Sequence, residues 1–394
     1  MPRVLISDKM SGLAAEVFQR RGIEVDVKTG LMPEDLSAII RDYDGLAVRS
    51  STKVRGPVIE AAKNLKVIGR AGIGVDNVDL NAATAKGIVV MNTPFGNSIT
   101  TAEHAIAMLM ALARDIPLAN ASTHAGKWEK SRFMGVEITG KVLGIIGCGN
   151  IGSVVADRAQ GLKMRVVAFD PYLGEDRATE LGVEKVTLDE LLARADFISL
   201  HTPLIDATRH IIDAEALAKT RKGVRLINCA RGGLVDEAAL KAALDSGHVA
   251  GAAIDVFEEE PATQSPLFGM DQVVATPHLG AATTEAQEKV AVQIAEQMAD
   301  YLLDGAVSNA LNMPSVTAEE APRLKPYMTL AQQLGSFAGQ ATRSAIREVT
   351  ISYEGVCGEL NCKPLTAVVL QGLLGPSMEG INMVNAPTIA KDRD

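Results

Sequence analysis

The stretch from Lys141 to Asp170, KVLGIIGCGNIGSVVADRAQGLKMRVVAFD, decides the fold class of this 394-residue chain. An apolar run leads into Gly147, Gly149 and Gly152, which have the spacing GxGxxG, and a second apolar run ends at Asp170. Such glycines permit a tight turn, a close approach of the backbone to a pyrophosphate and close packing of the following helix, whose N-terminus faces the anion. The stretch therefore predicts a dinucleotide-binding βαβ unit.

The glycine motif alone is weak evidence, because a chain with 35 glycines contains it by chance about 0.3 times. The alternative is a glycine-rich turn in another α/β fold, with Asp170 capping a helix. The flanking apolar runs favour the dinucleotide site. Asp170 would accept hydrogen bonds from the adenosine ribose and would repel a 2′-phosphate, and no arginine adjoins Pro171 and Tyr172. The sequence thus predicts NAD rather than NADP as the cofactor.

Short apolar runs alternate with helical patterns on both sides of this unit, as in parallel sheets covered by helices. One series of predicted strands precedes this unit and a second series begins at Lys141, so we expect two sheets. The apolar stretch Ser98–Arg114 between them predicts a buried helix, in a core or at an interface between domains or subunits. The first series of predicted strands is Arg3–Ser7, Glu24–Val27, Gly45–Val48, Lys66–Gly69 and Val89–Asn92.

The chain beyond Pro314 predicts a smaller third unit. A linker, a helix and an alternating strand are expected in turn at Pro322 to Pro326, over Met328–Ile346, and at Val349, Ile351 and Tyr353. The chain stops about two turns after a helix start at Asn385, so we expect a truncated piece or a longer natural chain. The predicted fold class is α/β, with two Rossmann-like or flavodoxin-like parallel-sheet domains plus a smaller α+β C-terminal domain.

Composition and charge exclude several classes of function. With 39 basic and 48 acidic residues, the formal charge of -9 opposes binding to nucleic acid or to anionic membranes. No run approaches the ~20 apolar residues of a membrane span, and no signal peptide is evident, so a cytoplasmic protein is expected. The cysteines form no CxxC pair and the six histidines have no metal-type spacing, which predicts reduced thiols and no metal.

Three ionisable side chains follow predicted strands of the second series: Arg231 in NCARGG, Glu260 in DVFEEEP and His278 in TPHLG. Redox chemistry on a 2-hydroxy acid needs a group that exchanges the hydroxyl proton and a cation that binds the carboxylate. Imidazole suits the first task, a neighbouring carboxylate can orient it, and a guanidinium suits the second. Each residue alone is more simply structural, but the combination indicates a catalytic site. His201, at another strand end, is interpreted as structural or cofactor-side.

The motifs GCGNIG with Asp170, NCARGGLVDE, AIDVFEEEP and TPHLGAAT resemble those of the D-isomer-specific 2-hydroxyacid dehydrogenase family, over residues 1 to about 313. The family members that oxidise 3-phospho-D-glycerate have stretches similar to four in this chain: AVRSSTKV, GRAGIGVDNVDL, VVMNTPFGNS and GKWEKSRFMG. The tail after Pro322, with GINMVNAP, resembles the intervening domain of their long forms. The resemblance implies NAD-dependent oxidation of 3-phospho-D-glycerate to 3-phosphohydroxypyruvate, the entry to serine biosynthesis.

The resemblance also implies the domains and the site. Residues 1–97 and 280–312 would form a substrate-binding domain, residues 98–279 an NAD-binding domain with the active site in the cleft between the two, and residues 313–394 an intervening domain. Arg231 would bind substrate, and Glu260 would partner His278, the proton donor in reduction. Besides the three glycines, the implied cofactor contacts are Asn150, Ile151, Asp170, Thr202, Cys229, Ala230, Asp255 and Gly280. The substrate-binding candidates are Arg49, Arg70, Gly72, Ile73, Gly74, Asn92, Lys130 and Arg132, with surface solubility as the alternative for the four cations.

Two other functions stay open at this point. A related reductase acting on glyoxylate, hydroxypyruvate or D-lactate would carry the same three catalytic residues. An NAD-sensing scaffold like the C-terminal binding protein corepressors shares the fold, although the periodic apolar tail disfavours it. The resemblance implies a homodimer or homotetramer with a small phosphorylated 2-hydroxy acid as its ligand. We expect no counterpart of the serine-binding ACT domain of the long forms in this chain, which leaves inhibition by serine open.

Overall fold

The structure is a computed structural model that describes residues 1–316, 320–342 and 346–392. The chain divides into two compact units: unit 1 comprises Met1–Gly96 and Gln287–Asp394, and unit 2 comprises Asn97–Ala286. Within the described ranges, every helix is too short or too polar to cross a membrane. The division into substrate-binding, NAD-binding and intervening domains stays a prediction.

Unit 1 is built on a five-stranded parallel sheet in the order β2-β1-β3-β4-β5. This is the flavodoxin-like order, whose switch point lies between β1 and β3. Each strand of the first predicted series is confirmed to within one residue. The strands are β1 Arg3–Ile6, β2 Glu24–Val27, β3 Gly45–Val48, β4 Val67–Arg70 and β5 Val89–Asn92, and the helices between them are α1 Leu13–Arg20, α2 Pro33–Ile39, α3 Gly56–Ala61 and α4 Leu80–Ala85.

Unit 2 is built on a seven-stranded parallel sheet in the order β12-β11-β10-β9-β6-β7-β8. The order reverses between β6 and β9, as in doubly wound nucleotide-binding sheets. The strands are β6 Val142–Ile146, β7 Arg165–Phe169, β8 Glu184–Lys185, β9 Phe197–Leu200, β10 Val224–Asn228, β11 Val249–Ile254 and β12 Val273–Ala275. The helices are α5 Ser98–Ala113, α6 Ile116–His124, α7 Gly152–Gly161, α8 Glu175–Leu181, α9 Leu188–Arg194, α10 Ala214–Lys219 and α11 Glu237–Asp245.

Two long helices pack on these sheets. Helix α5 buries Ala102, Ala105 and Leu109 in the core of unit 2, so the core interpretation of this apolar stretch is confirmed. Helix α12, Thr284–Asp304, buries Ile294 and Met298 against β-strand residues in the core of unit 1. Burial of an apolar helix face against a sheet is the main source of stability in such layers.

The C-terminal part corrects two predictions. It contains α13 Ala321–Ala341, α14 Cys362–Leu374 and α15 Ala386–Asp392. The predicted linker at Pro322 to Pro326 is wrong, because both prolines lie in α13. Pro322 is in the first turn, where a missing N–H costs least, and Pro326 lies inside the helix. The predicted strand at Val349 to Tyr353 is also wrong, because no strand pairs with that segment in the described part of the chain. The described residues of the C-terminal part form helices, whereas an α+β domain was predicted. Residues 343–345 of the predicted helix lie outside the described residues.

The motif GINMVNAP packs against the N-terminal part of unit 1. The side-chain amide of Asn382 donates to the carbonyl of Gly87 at 2.7 Å, and that of Asn385 donates to the carbonyl of Ala85 at 3.3 Å. Val384 is buried in the same core as β1. The intervening-type segment is therefore packed on the turn between α4 and β5.

Candidate active site

The predicted cofactor residues of unit 2 lie at one edge of its sheet. Because parallel strands end at the same edge, residues that follow different strands meet there, where dinucleotide-binding crevices form. Gly147, Gly149, Asn150, Ile151 and Gly152 follow β6, Asp170 follows β7, Thr202 follows β9, Cys229 and Ala230 follow β10, Asp255 follows β11 and Gly280 follows β12.

The glycine turn is closed on its inner side and open on its outer side. Gly147 has φ 90°, and a Cβ there would lie 2.8 Å from the carbonyl oxygen of His201, in the loop after β9. A Cβ on Gly152 would overlap the carbonyl oxygen of Gly147, whereas a Cβ on Gly149 would meet no atom within 4 Å. The turn therefore packs tightly against the sheet and leaves its exposed backbone free for a pyrophosphate, as a bound dinucleotide requires.

Asp170 is fixed beside this turn. One carboxylate oxygen accepts a hydrogen bond from the backbone N–H of Cys148 at 2.8 Å, and the other accepts one from that of Tyr172 at 2.8 Å. Each oxygen keeps acceptor capacity for a ribose hydroxyl. Burial, with the charge of Asp170, raises the pKa of the Cys148 thiol to about 11, so this thiol is protonated near neutral pH and is no nucleophile.

His278 and Glu260 form a hydrogen-bonded pair. Nδ1 of His278 lies 2.6 Å from Oε2 of Glu260, while Oε1 of Glu260 accepts the backbone N–H of Phe257 at 3.1 Å. Partial burial favours the neutral acid, but the hydrogen bond and charge of His278, with help from Arg231, hold the pKa of Glu260 below its ordinary value. Because an ionised carboxylate only accepts, Nδ1 carries the hydrogen, and Nε2 is left to exchange a proton with a ligand.

Arg231 completes this group. Its carbonyl accepts the side-chain amide of Asn228 at 2.9 Å, and its Nη1 donates to the carbonyl of Ala230 at 2.6 Å. A Cβ on Gly232 would overlap the carbonyl oxygen of Phe257, so the loop after β10 packs directly on the loop that carries Glu260. The structure thus brings together the three residues that the sequence predicted to be catalytic.

A second cluster at this edge joins the predicted residues Asp255 and Gly280 to His104 and Thr276, which the sequence did not predict. The side chain of Asp255 is fully buried, and it accepts hydrogen bonds from the N–H of Leu279 at 2.7 Å, the N–H of Gly280 at 2.9 Å and the hydroxyl of Thr276 at 2.6 Å. Nε2 of His104, on α5, lies 3.2 Å from the same carboxylate. The available signal was an imidazole directly before the apolar run AIAMLMALA of α5. A direct contact of Asp255 with the cofactor stays a prediction.

Two other groups at the edge have no acid/base use near neutral pH. Burial lowers the pKa of His201 to about 3, so its imidazole is neutral, and its Nε2 pairs with the hydroxyl of Ser199 at 2.8 Å. Burial, and then the charge of Asp255, raise the pKa of the Cys229 thiol far above its ordinary value. These environments favour the interpretation of His201 as structural or cofactor-side.

Most of the substrate-binding candidates lie at the carboxyl edge of the sheet in unit 1. Arg49 follows β3, Arg70 ends β4 and is followed by Gly72, Ile73 and Gly74, and Asn92 ends β5. At the switch point, the buried carboxylate of Asp8 accepts the N–H of Arg49 at 2.6 Å and the hydroxyl of Thr52 at 2.8 Å. The side chain of Asn92 donates to the carbonyl of Ile73 at 2.6 Å. This network holds the backbone that carries the candidates.

The remaining two candidates, Lys130 and Arg132, form a short exposed 3₁₀ segment in unit 2. The guanidinium of Arg132 lies 3.2 Å from the carboxylate of Glu129 and 3.2 Å from that of Asp271. Two carboxylates therefore already share its charge, and phosphate binding by Arg132 stays a prediction.

Comparison with known proteins agrees with this geometry. Residues 106–280 match the NAD binding domain of D-isomer specific 2-hydroxyacid dehydrogenases, and residues 323–394 match the D-3-phosphoglycerate dehydrogenase intervening domain. D-3-phosphoglycerate dehydrogenase of Methanocaldococcus jannaschii is 46% identical over 100% of this chain and 75% of its own length. The Synechocystis sp. enzyme of the same name is 45% identical over 100% of this chain and 71% of its length. The structure of a glyoxylate reductase from Paecilomyes thermophila superposes with a TM-score of 0.73 at 29% identity, covering 79% of this chain and 98% of that one.

Proposed function

The chain belongs to the D-isomer-specific 2-hydroxyacid dehydrogenase family, and we propose that it catalyses the NAD-dependent oxidation of 3-phospho-D-glycerate to 3-phosphohydroxypyruvate, the first step of serine biosynthesis. The observation that carries the proposal is the 2.6 Å pair of His278 and Glu260 with Arg231 beside it, on the same sheet edge as the glycine turn. The match of the C-terminal part to the intervening domain favours the phosphorylated substrate over those of other family members.

His278 acts as the base in the oxidation. Its Nε2 takes the proton of the C2 hydroxyl, the C2–O bond becomes a carbonyl, and Glu260 stabilises the imidazolium that forms. NAD⁺ held by the glycine turn and Asp170 would supply the acceptor for the C2 hydrogen and its bonding electrons. The planar guanidinium of Arg231 can bind the substrate carboxylate bidentately and polarise the oxygen on C2. In the reverse direction His278 returns the proton.

The phosphate of the substrate requires cations of its own. We assign this role to Arg49 and Arg70, with Lys130 and Arg132 as further candidates and Asn92 and the Gly72–Gly74 backbone as neutral contacts. A Cβ on Gly72 would overlap Nη1 of Arg70, so this glycine leaves room for the guanidinium. A cytoplasmic location and a homodimer or homotetramer remain predictions.

The substrate assignment is tested by steady-state rates with NAD and each of 3-phospho-D-glycerate, D-glycerate and D-lactate. We expect kcat/KM to favour the phosphorylated substrate by at least about 100-fold, because losing two or more charge-assisted hydrogen bonds costs roughly 3 kcal/mol or more. A preference for an unphosphorylated substrate would identify another dehydrogenase of the family. Tight NADH binding without turnover of any of the three would identify a scaffold.

Arg132→Ala tests the assignment of the exposed cations. If Arg132 binds the phosphate, the variant should raise KM for 3-phospho-D-glycerate by about tenfold with little change in kcat. The lost contact would stabilise the bound substrate and the transition state equally. Arg194→Ala is the matched control, because Arg194 also forms an exposed ion pair in unit 2, with Glu184. An Arg132→Ala variant with the KM of the control would remove Arg132 from the phosphate site.

A further inference from the structure

The segment Thr276–Gly280, here called the histidine loop, is held at four points by one residue. The carboxylate of Asp255 accepts the hydroxyl of Thr276 and the N–H groups of Leu279 and Gly280, and the backbone carbonyl of Asp255 accepts the N–H of His278 at 2.8 Å. His278 itself has φ 56°, a left-handed conformation that is costly for a side chain other than glycine or asparagine. Such a conformation persists only where its surroundings impose it.

The side chain of Asp255 is fully buried, so it can hold the histidine loop only if hydrogen bonds compensate its negative charge. Burial raises its pKa, but the hydrogen bonds of His104, Thr276 and the N–H of Leu279 outweigh burial, and the net pKa lies below the ordinary value. An ionised Asp255 therefore faces His104, whose Nε2 must carry the hydrogen in their contact. Three of its donors belong to the histidine loop itself, whereas His104 belongs to α5.

We propose that His104 is a positioning residue for the reaction: by donating Nε2–H to Asp255 from the core helix α5, it ties the histidine loop to the rigid part of unit 2 and fixes the direction of the His278 imidazole. The inference rests on the proposed role of His278 as the base. His104 exchanges no proton with substrate. Its effect is on geometry, and misplacement of a catalytic group by about 1 Å can cost about 100-fold in rate.

The substitutions His104→Leu and His104→Gln test this role. Leucine fills the space without a donor, whereas glutamine can place an N–H close to the position of Nε2. We expect the single-turnover rate of NADH formation from 3-phospho-D-glycerate to fall by about 10- to 100-fold in the leucine variant, with the Kd for NADH and the KM for substrate within about threefold of wild type. Glutamine should recover the rate to within about fivefold. Equal rates in the leucine variant and the wild type, or equal losses in both variants, would overturn the proposal.

His248→Leu is the matched control, because Nε2 of His248 also bonds a threonine hydroxyl, that of Thr220 at 3.0 Å, and His248 precedes β11 at the opposite edge of the sheet. Its rate should stay within about twofold of wild type, and a loss equal to that of His104→Leu would indicate a general effect of destabilisation. If His104→Leu does not fold, Thr276→Val removes the hydroxyl donor from the same carboxylate and should lower the rate by about three- to tenfold. An unchanged rate there would overturn the proposal.

A metal ion held by the same residues would give a different result. The donor atoms of His104, Cys229 and Asp255 lie within 4.8 Å of one another, a grouping that could hold such an ion. We expect the wild-type rate to be unaffected by EDTA, and a rate that required added Zn²⁺ would overturn the positioning role. A wild-type chain without activity on 3-phospho-D-glycerate would instead contradict the proposed function.

Discussion

Replacement of His278 by asparagine is expected to lower kcat for oxidation of 3-phospho-D-glycerate by about two to four powers of ten, while NADH still binds. Asparagine is the informative choice because it tolerates the left-handed backbone, and His278 has φ 56°. The histidine loop can therefore keep its hydrogen bonds to Asp255. What disappears is Nε2, the atom that takes the hydroxyl proton once Glu260 holds the hydrogen on Nδ1.

The measurement has two arms: kcat by NADH absorbance, and Kd for NADH by fluorescence titration. Glu260→Gln is a useful companion, because glutamine can keep an oxygen for the N–H of Phe257 but cannot balance an imidazolium. We expect its kcat to fall less, by about 10- to 100-fold. A loss of NADH affinity in His278→Asn as large as the loss of kcat would contradict its role as the acid/base.

Local pattern was sufficient to predict the sheets and the cofactor turn. Strands β3 and β5 of unit 1 are short, fully buried apolar runs, and burial on both faces of a parallel sheet requires such runs. The residues of the active site were predictable for a related reason, because Arg231, Glu260 and His278 each follow the end of a strand and parallel strands end at one edge. Motif spacing and topology were therefore sufficient to predict most residues of the candidate site.

The partners of Asp255 were not predictable in this way. His104 lies more than 150 residues before Asp255, in a helix whose sequence predicts only burial. The imidazole of His104 contacts the carboxylate of Asp255 because α5 packs against β11 and β12. A pair that depends on the packing of two distant elements leaves no local pattern.

The pairing that a strand needs is likewise non-local. Val349, Ile351 and Tyr353 alternate as in a strand, but the described residues offer no neighbouring strand. Of the three alternating residues, Ile351 and Tyr353 are partly buried and Val349 is exposed.

The glycine turn leads to the second large expected effect: Gly149→Ala should weaken NADH binding by about 10- to 100-fold without lowering the melting temperature. A Cβ at this position meets no atom within 4 Å, so the folded chain can accept the methyl group. The space it enters is the side from which a pyrophosphate must approach the backbone, and a loss of this size corresponds to about 1.4 to 2.7 kcal/mol of binding free energy. Fluorescence titration with NADH and thermal denaturation measure the two quantities.

Gly161→Ala is the control for this substitution, because a Cβ on Gly161, at the end of α7, also meets no atom within 4 Å. It should leave both the Kd for NADH and the melting temperature near their wild-type values. Gly152→Ala behaves differently, since its Cβ overlaps the carbonyl oxygen of Gly147, and it should lose stability and NADH binding together. The separation of the two effects in Gly149→Ala therefore identifies the outer face of the turn as the pyrophosphate site, and wild-type affinity in that variant would exclude it.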